Sequence, residues 1–373
     1  MSVTRALLWT IGVLLLTAAP ALAQHARTSR VAVDSAVGVD LTCLTPSANQ
    51  WDCVDATGNH TSGVFIDSLV SAELGRGFQG LVRPLAQRLA NSGEWNRQIW
   101  IAELRYERPG PVSFRAEAGY IPAPIGLANL TLRPQLNPTI AQPAELFTSL
   151  PPLEVGGPRV TLLGGIYPLG AQASASAVHW DARVAVMDTS PLRIRRVFSS
   201  PYREIGPANP PRFTNVSIGG GVTPFVGLRV GASLTRGGWM RAGESPTTTE
   251  DRDATIVDVE TELAFRHTSL AAEWVHDILQ TTLGDRTAGG VYVQGVQTLA
   301  PRWFVAGRVE RLRTTLAGVA ALEQQFDANE QTLGFRLTPE LTLRVSHRAR
   351  QTFGRTNFDH TGAVSFVWYR RWM

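Results

Sequence analysis

Beyond residue 30 the chain alternates apolar and polar side chains in short segments, and the connections between segments are alternately short and long. A period of two places successive side chains on opposite faces of a strand. In VSFRAEAGY, Val112, Phe114, Ala116, Ala118 and Tyr120 share one face, with Ser113, Arg115 and Glu117 on the other. LRVGASLT sets Leu228, Val230, Ala232 and Leu234 against Arg229, Ser233 and Thr235. QTLGFRLT and LTLRVSHR put Leu333, Phe335, Leu341, Leu343 and Val345 on one side, and Arg336, Arg344 and Arg348 on the other. Such strands build either a sandwich around an apolar core or a membrane barrel, apolar outward and polar inward.

The connections separate the two. The short ones are Gly75 to Gly77, Arg108 to Pro111, Tyr167 to Gly170, Thr223 to Gly227, Arg266 to Ser269, Leu299 to Arg302 and Thr338 to Glu340. The long ones are 42–62, 88–97, 122–158, 189–212, 240–254, 281–289, 313–329 and 352–360. Tight turns on one rim and long loops on the other fit an outer-membrane barrel, and a sandwich makes no such demand. In hydrocarbon every backbone N–H and C=O must be paired within the sheet, so the barrel must close. The expectation is an all-β, closed antiparallel transmembrane barrel of sixteen strands. Pro84 cannot donate to a ladder; without the strand 78–87 and the first strand, fourteen remain as the alternative. Beyond the first 30 residues, the longest stretch free of charge, Val160 to Trp180, is broken by Gly164, Gly165, Pro168 and Gly170. It reads as strand, YPLG turn and strand rather than as a helix.

The first 23 residues read as an address. Arg5 precedes the uncharged run Ala6 to Ala19, Pro20 ends it, and Ala21-Leu22-Ala23 supplies small residues before Gln24. This is the pattern of a secretory signal peptide, leaving 24–373 for the barrel. An exported chain meets an oxidising compartment, where Cys43 and Cys53 are expected to pair as a disulfide. All 35 basic residues are arginine, which excludes a Walker-type loop, a kinase lysine and a Schiff-base enzyme. Against 31 acids they leave too small an excess for a nucleic-acid binder.

No catalytic constellation emerges. His179-Trp180-Asp181 and His276-Asp277 are chain neighbours whose side chains point to opposite faces of a strand. There is no Gly-x-Ser-x-Gly, and Gly219-Gly220-Gly221 lies within a strand, where close packing or a bend is expected. No cofactor or metal is implied. The alternation instead turns charge toward the lumen. Asp258, Glu260, Glu262 and Glu273 form an acidic wall on neighbouring strands. Arg308, Arg336, Arg344 and Arg348 form a basic wall on later ones, with Arg105 and Arg115 near the third long loop. Walls of charge set ion preference in a pore; the alternative is that the charges pair across strands and merely solvate the interior. Trp100, Tyr106, Tyr120, Trp180, Trp239, Trp274, Trp303, Trp368 and Tyr369 lie near strand ends, where interfacial girdles would need them.

The last strand, GAVSFVWYRRWM, offers Val364, Phe366, Trp368 and Trp372 to one face and resembles the aromatic C-terminal signature of outer-membrane proteins. With the signal peptide, the alternation and the Pro-marked turns, the chain resembles a Gram-negative porin. GYIPAPIGLANL, YPLGAQ, QTLAPRWFVAGR and GFRLTPELTLRVSHR resemble phosphate-selective porin O/P-type proteins. The resemblance implies passive diffusion of small polar or ionic solutes through a water-filled barrel in the bacterial outer membrane. It also implies contact with outer-membrane lipid, insertion by the barrel-assembly machinery through the last strand, and a homotrimer. Porins of this kind fold the third external loop inward. The third long loop here, 122–158, is the longest and carries eight prolines, which stiffen it. The phosphate-selective relatives line their constriction with lysine, which this chain lacks. Two other readings stand beside the porin: a structural or adhesive barrel with an occluded lumen, and an outer-membrane hydrolase.

Overall fold

A computed structural model describes residues 31–44, 63–89, 95–127, 133–154, 156–164, 167–193, 214–246, 248–316 and 319–372. The expected signal peptide and Cys53, and with it the Cys43–Cys53 bridge, lie outside the described residues. Sixteen antiparallel strands form one closed barrel. The first five are β1 (Val31–Leu44), β2 (Gly63–Gly75), β3 (Phe78–Leu89), β4 (Trp95–Arg108) and β5 (Ser113–Tyr120). A long loop holding the four-residue helix α1 (Ala144–Phe147) leads to β6 (Leu169–Ser176), β7 (Trp180–Met187), β8 (Asn215–Phe225) and β9 (Leu228–Met240). Then come β10 (Arg252–Phe265), β11 (Thr268–Thr281), β12 (Gly284–Ala300), β13 (Trp303–Leu316), β14 (Val319–Arg336), β15 (Leu341–Gln351) and β16 (Asp359–Trp372). Each strand pairs with its chain neighbours, and β1 closes on β16 from Val33 opposite Trp372 to Leu44 opposite Thr361. Closure leaves no edge with unpaired backbone groups.

The alternation places the faces as it predicts. On β9, Val230 and Leu234 are exposed outside while Ser233 and Thr235 are buried inside. Strand β3 forms despite Pro84, which sits at a register shift between Arg83 and Pro84 in its pairing with β4. A bulge is where a residue without an N–H is tolerated.

Three expectations are corrected. Residues 159–164 form no strand, and Tyr167 to Gly170 is not a turn: Leu169 already belongs to β6. The missing turn is Ala177-Val178-His179, where the Ala177 N–H donates to the Trp180 carbonyl at 2.8 Å. One strand too many before the YPLG stretch and one too few after it cancel, so the count is unaffected. Second, the outer loops expected at 281–289 and 313–329 are not long. Only Thr282 and Leu283 lie between β11 and β12, and only residues 317–318 between β13 and β14. Polar residues continue the strands there instead of leaving them. Third, Trp239 is not in a girdle: it is 1% exposed and belongs to the apolar cluster inside the barrel. Trp100 packs against the same cluster, and Tyr369 turns inward to donate to Asp34 at 3.2 Å.

That cluster is the main departure from a plain water-filled tube. Leu146, Leu150, Leu153, Val160, Leu162 and Leu163 of the loop pack against Leu81, Ile101, Val275, Leu279, Leu312 and Phe326 of the wall. Each fully buried side chain of this size stabilises by roughly 1.5–3 kcal/mol relative to exposure. Gly290 makes room, since a Cβ there would lie 2.5 Å from Leu162 and 2.9 Å from Leu312.

Candidate functional site: the lumen and its loop

The loop is fixed to one side of the barrel by charge. Arg308 on β13 donates to the Thr139 hydroxyl at 2.8 Å and to the carbonyls of Ala141 and Gln142 at 2.9 and 3.2 Å. It also pairs with Glu330 of β14 at 3.1 Å and Glu310 at 3.2 Å. Glu330 in turn accepts the N–H groups of Ile140 and Ala141, and Glu310 accepts that of Ala144. One strand further, Arg344 donates to the Pro134, Asn137 and Thr139 carbonyls and to the Ser365 hydroxyl. A loop rich in proline, with few N–H groups of its own to pair its carbonyls, is well served by guanidinium donors.

The opposite end is tied at Tyr167, whose hydroxyl accepts from Arg83 at 2.6 Å; Arg83 itself forks onto Asp67 at 2.9 and 2.7 Å. Burial pushes the Tyr167 phenol up, against the pull of the adjacent Arg83. Between these anchors the short helix carries Glu145, 1% exposed, with no hydrogen-bond donor on either carboxylate oxygen. Burial, reinforced by the charges of Glu273, Glu310 and Asp258, holds its carboxyl well above the ordinary carboxylate range.

The far wall is open to water. On the lumen side of β7, β9 and β10, Asp181, Arg183, Arg229 and Glu262 retain 28, 24, 20 and 43% exposure of their side chains. Arg229 forks onto Asp181 at 2.7 and 2.9 Å and reaches Glu260 at 2.6 Å, which Arg183 also meets at 3.3 Å. Glycines floor this patch. A Cβ at Gly221 would lie 2.9 Å from the Arg229 guanidinium, one at Gly219 3.1 Å from Arg183, and one at Gly231 2.8 Å from Glu260. The expected close packing is therefore, at Gly219 and Gly221, packing against arginine, and at Gly220 against the Asp181 carbonyl. A cavity of about 290 Å³ lies between this patch and the first arm of the loop, lined by Pro122, Gly126, Leu127 and Tyr167 beside the charged side chains.

The residues expected to line the pore divide between these environments. Arg308 and Arg344 are buried under the loop, and Arg348, 13% exposed, lies beside Glu310 at 3.6 Å. Arg336 sits at the inner end of β14 over the Phe304 ring. Arg105 and Arg115 form a ladder with Glu103, Glu107 and Glu117. Asp258, Glu260 and Glu273 are buried on the lumen side, and Glu262 is half-exposed there. The signs interleave: Arg183 and Arg229 stand among the acids, and Glu310 and Glu330 among the bases. Arg183, Glu310 and Glu330 were absent from the expected set, although Asp181/Arg183 and Arg308/Glu310 share a strand face two residues apart. Among the described residues no group of three metal-ligating side chains assembles.

No protein-family model matches the chain, and no curated protein matches it in sequence. Solved structures do match the fold. Salmonella typhi OmpF in complex with daunomycin aligns at TM-score 0.60 with 8% identity, covering 92% of this chain and 98% of that one. The outer-membrane expressed OmpT of Vibrio cholerae aligns at 0.58 with 8% identity, over 92% and 99%. The anion-selective porin from Comamonas acidovorans aligns at 0.53 with 9% identity, over 92% and 100%. At such identities the similarity is one of fold.

Proposed function

We propose that this chain is a bacterial outer-membrane porin that passes small polar or ionic solutes by passive diffusion, along the side of the lumen that the loop leaves free. The observation that carries the reading is the exposure of Asp181, Arg183, Arg229 and Glu262 inside a closed barrel whose β13–β15 wall is sealed. A barrel of sixteen strands encloses an aqueous channel unless something fills it, and here the loop leaves the charged β7–β10 side with exposed polar side chains. The fold, shared with solved porins, supports the same reading, as does an outer surface exposing Val184, Ile218, Val230, Leu234 and Trp303 where lipid would lie. Passage rather than turnover is the activity proposed. Arg229 and Arg183, each neutralised by a carboxylate, would orient a passing solute without holding it, because conduction needs binding weak enough to release.

The apolar cluster across the lumen favours a second reading, a barrel closed by its loop that serves as an envelope element. Single-channel recording of the purified, heat-modifiable protein in planar bilayers decides. Discrete steps at neutral pH support diffusion; silence from folded protein supports closure.

A further inference from the structure

Two histidines meet on the outer wall of the barrel. On β15, Val345 and His347 face outward and alternate with Arg344 and Ser346, which are buried inside. On β16, His360 shares the outward face with Phe366, and both are exposed. The pairing of β15 with β16 sets His347 opposite Gly362 and Ala349 opposite His360. The two imidazoles are therefore diagonal neighbours, and the positions completing the square hold only glycine and alanine. Nothing lies within 4 Å of the place a Cβ on Gly362 would take. The rings thus meet beside a gap that a small ligand can enter. His360 is the second residue of β16, next to the 352–358 connection, so water at the rim can reach the pair.

The ring centroids are 5.3 Å apart, and His347 Nε2 shares a hydrogen bond with His360 Nδ1 at 3.2 Å. Two imidazole nitrogens bound to one tetrahedral zinc ion, at about 2.0–2.1 Å each, lie about 3.3–3.4 Å apart. A linear bridge through the ion would need about 4 Å. The observed separation therefore suits two edges of a tetrahedron, and an ion can enter by rotation of the rings without moving the strands. One ring holds the shared proton. With an ion in its place, that proton passes to the other nitrogen of the same ring, and both imidazoles stay neutral. Imidazole suits zinc, copper and nickel, whereas calcium and magnesium need oxygen. On β14, Gln331 faces His347 and Asn329 faces Ala349. A carboxamide oxygen can accept the remaining N–H of an imidazole, the support that orients such ligands on a metal. Outward charges on β13 and β14 are matched, Arg311 with Asp327 at 2.6 Å and Arg313 with Glu323 at 3.8 Å.

We infer that His347 and His360 form a zinc-binding site on the outer face of the β15–β16 hairpin, with His347 Nε2 and His360 Nδ1 as its two protein ligands and water in the other positions. Two ligands on adjacent strands make the ion a staple across the hairpin, next to the seam where β16 closes on β1. An ion that binds only the folded barrel stabilises it. The site lies outside the lumen, so it stands whether or not the barrel conducts.

Isothermal titration of the folded, chelator-treated barrel with Zn²⁺, on protein purified without a histidine tag, should show one saturable site per chain. His347→Gln and His360→Gln should each lose that site. His276→Gln, on a histidine that stacks on Trp274 of β11, should keep it. Zn²⁺ should also raise the temperature at which the barrel opens on a gel in the native protein, and leave it unchanged in His347→Gln. Should the histidine variants fail to fold, Gly362→Leu decides, because it fills the gap and keeps both imidazoles; its affinity for Zn²⁺ should fall. A folded native barrel without saturable Zn²⁺ binding overturns the inference. So does binding that survives His347→Gln with His360→Gln, binding that leaves the opening temperature unmoved, or full affinity in Gly362→Leu.

Discussion

Glu145 sits midway along the β5–β6 loop, buried from water, facing carboxylates on β10, β11 and β13 and the Tyr292 phenol on β12. Burying an unpaired charge is costly, so such a group stays protonated. Its raised value gives the sign. Docking of the 144–147 segment is fully supported at pH below the ordinary carboxylate range and is lost as pH climbs through the raised value. Conductance should therefore rise with pH in the native protein, while Glu145→Gln, neutral at every pH, should flatten that dependence and stay at the low-conductance level. An unchanged pH profile in the variant, recorded in the same bilayers, would show that Glu145 does not govern the loop. Arg308 works the other way, as a buried charge whose partners are all in place. Arg308→Met takes the Arg308 guanidinium away from Glu310 and Glu330, and breaking a buried pair costs about 3–5 kcal/mol. The expected result is a lower unfolding temperature and larger, noisier conductance steps, read by calorimetry and single-channel recording.

Among the elements, the strands were legible because a two-residue period leaves no freedom over which face a side chain takes. The third loop was legible only in outline. From 159 to 166 the sequence is as apolar as a lipid-facing strand, yet Leu162 and Leu163 both go to the core inside the barrel. The signal was present on the wall: in WVHDILQ, Trp274 and Ile278 serve the outer face while Val275 and Leu279 serve the inner one. A strand apolar on both faces is covered on both, and inside a barrel only a loop can do the covering. The misjudged outer loops have a different cause. Strands β12 and β14 run 17 and 18 residues, longer than a membrane crossing needs, and their polar outer ends carry the composition of loops. The rims can be tested directly. Tags inserted after Leu283 in the β11–β12 turn, or near Pro246 in the 241–251 connection, should be labelled on intact cells, whereas one beside Pro301 should not. Labelling at Pro301 alone would reverse the assigned orientation.

For the whole molecule, the lumen has a dry side and a wet side, and the two make opposite predictions for arginines that the alternation treats alike. Arg344 is buried and donates to three loop carbonyls. Arg183 and Arg229 are partly exposed and flank the cavity under Pro122 to Leu127. An ion crossing the barrel feels charges within about 8–10 Å at moderate salt, so only arginines that water can reach set its sign preference. Replacing Arg183 and Arg229 by Ser removes two positive charges and leaves Asp181, Glu260 and Glu262 without their cationic partners. The reversal potential measured across a salt gradient should then shift toward cation preference, more at low salt than at high. Glu262→Gln, removing the most exposed acid of the patch, should shift it the other way by less. Arg344→Ser should leave the reversal potential in place and change the size of the conductance steps, because its charge meets the loop and not the solute. If Arg344→Ser moves selectivity while the Arg183 and Arg229 changes do not, the conducting path follows the β13–β15 wall and the loop must leave that wall for conduction to occur.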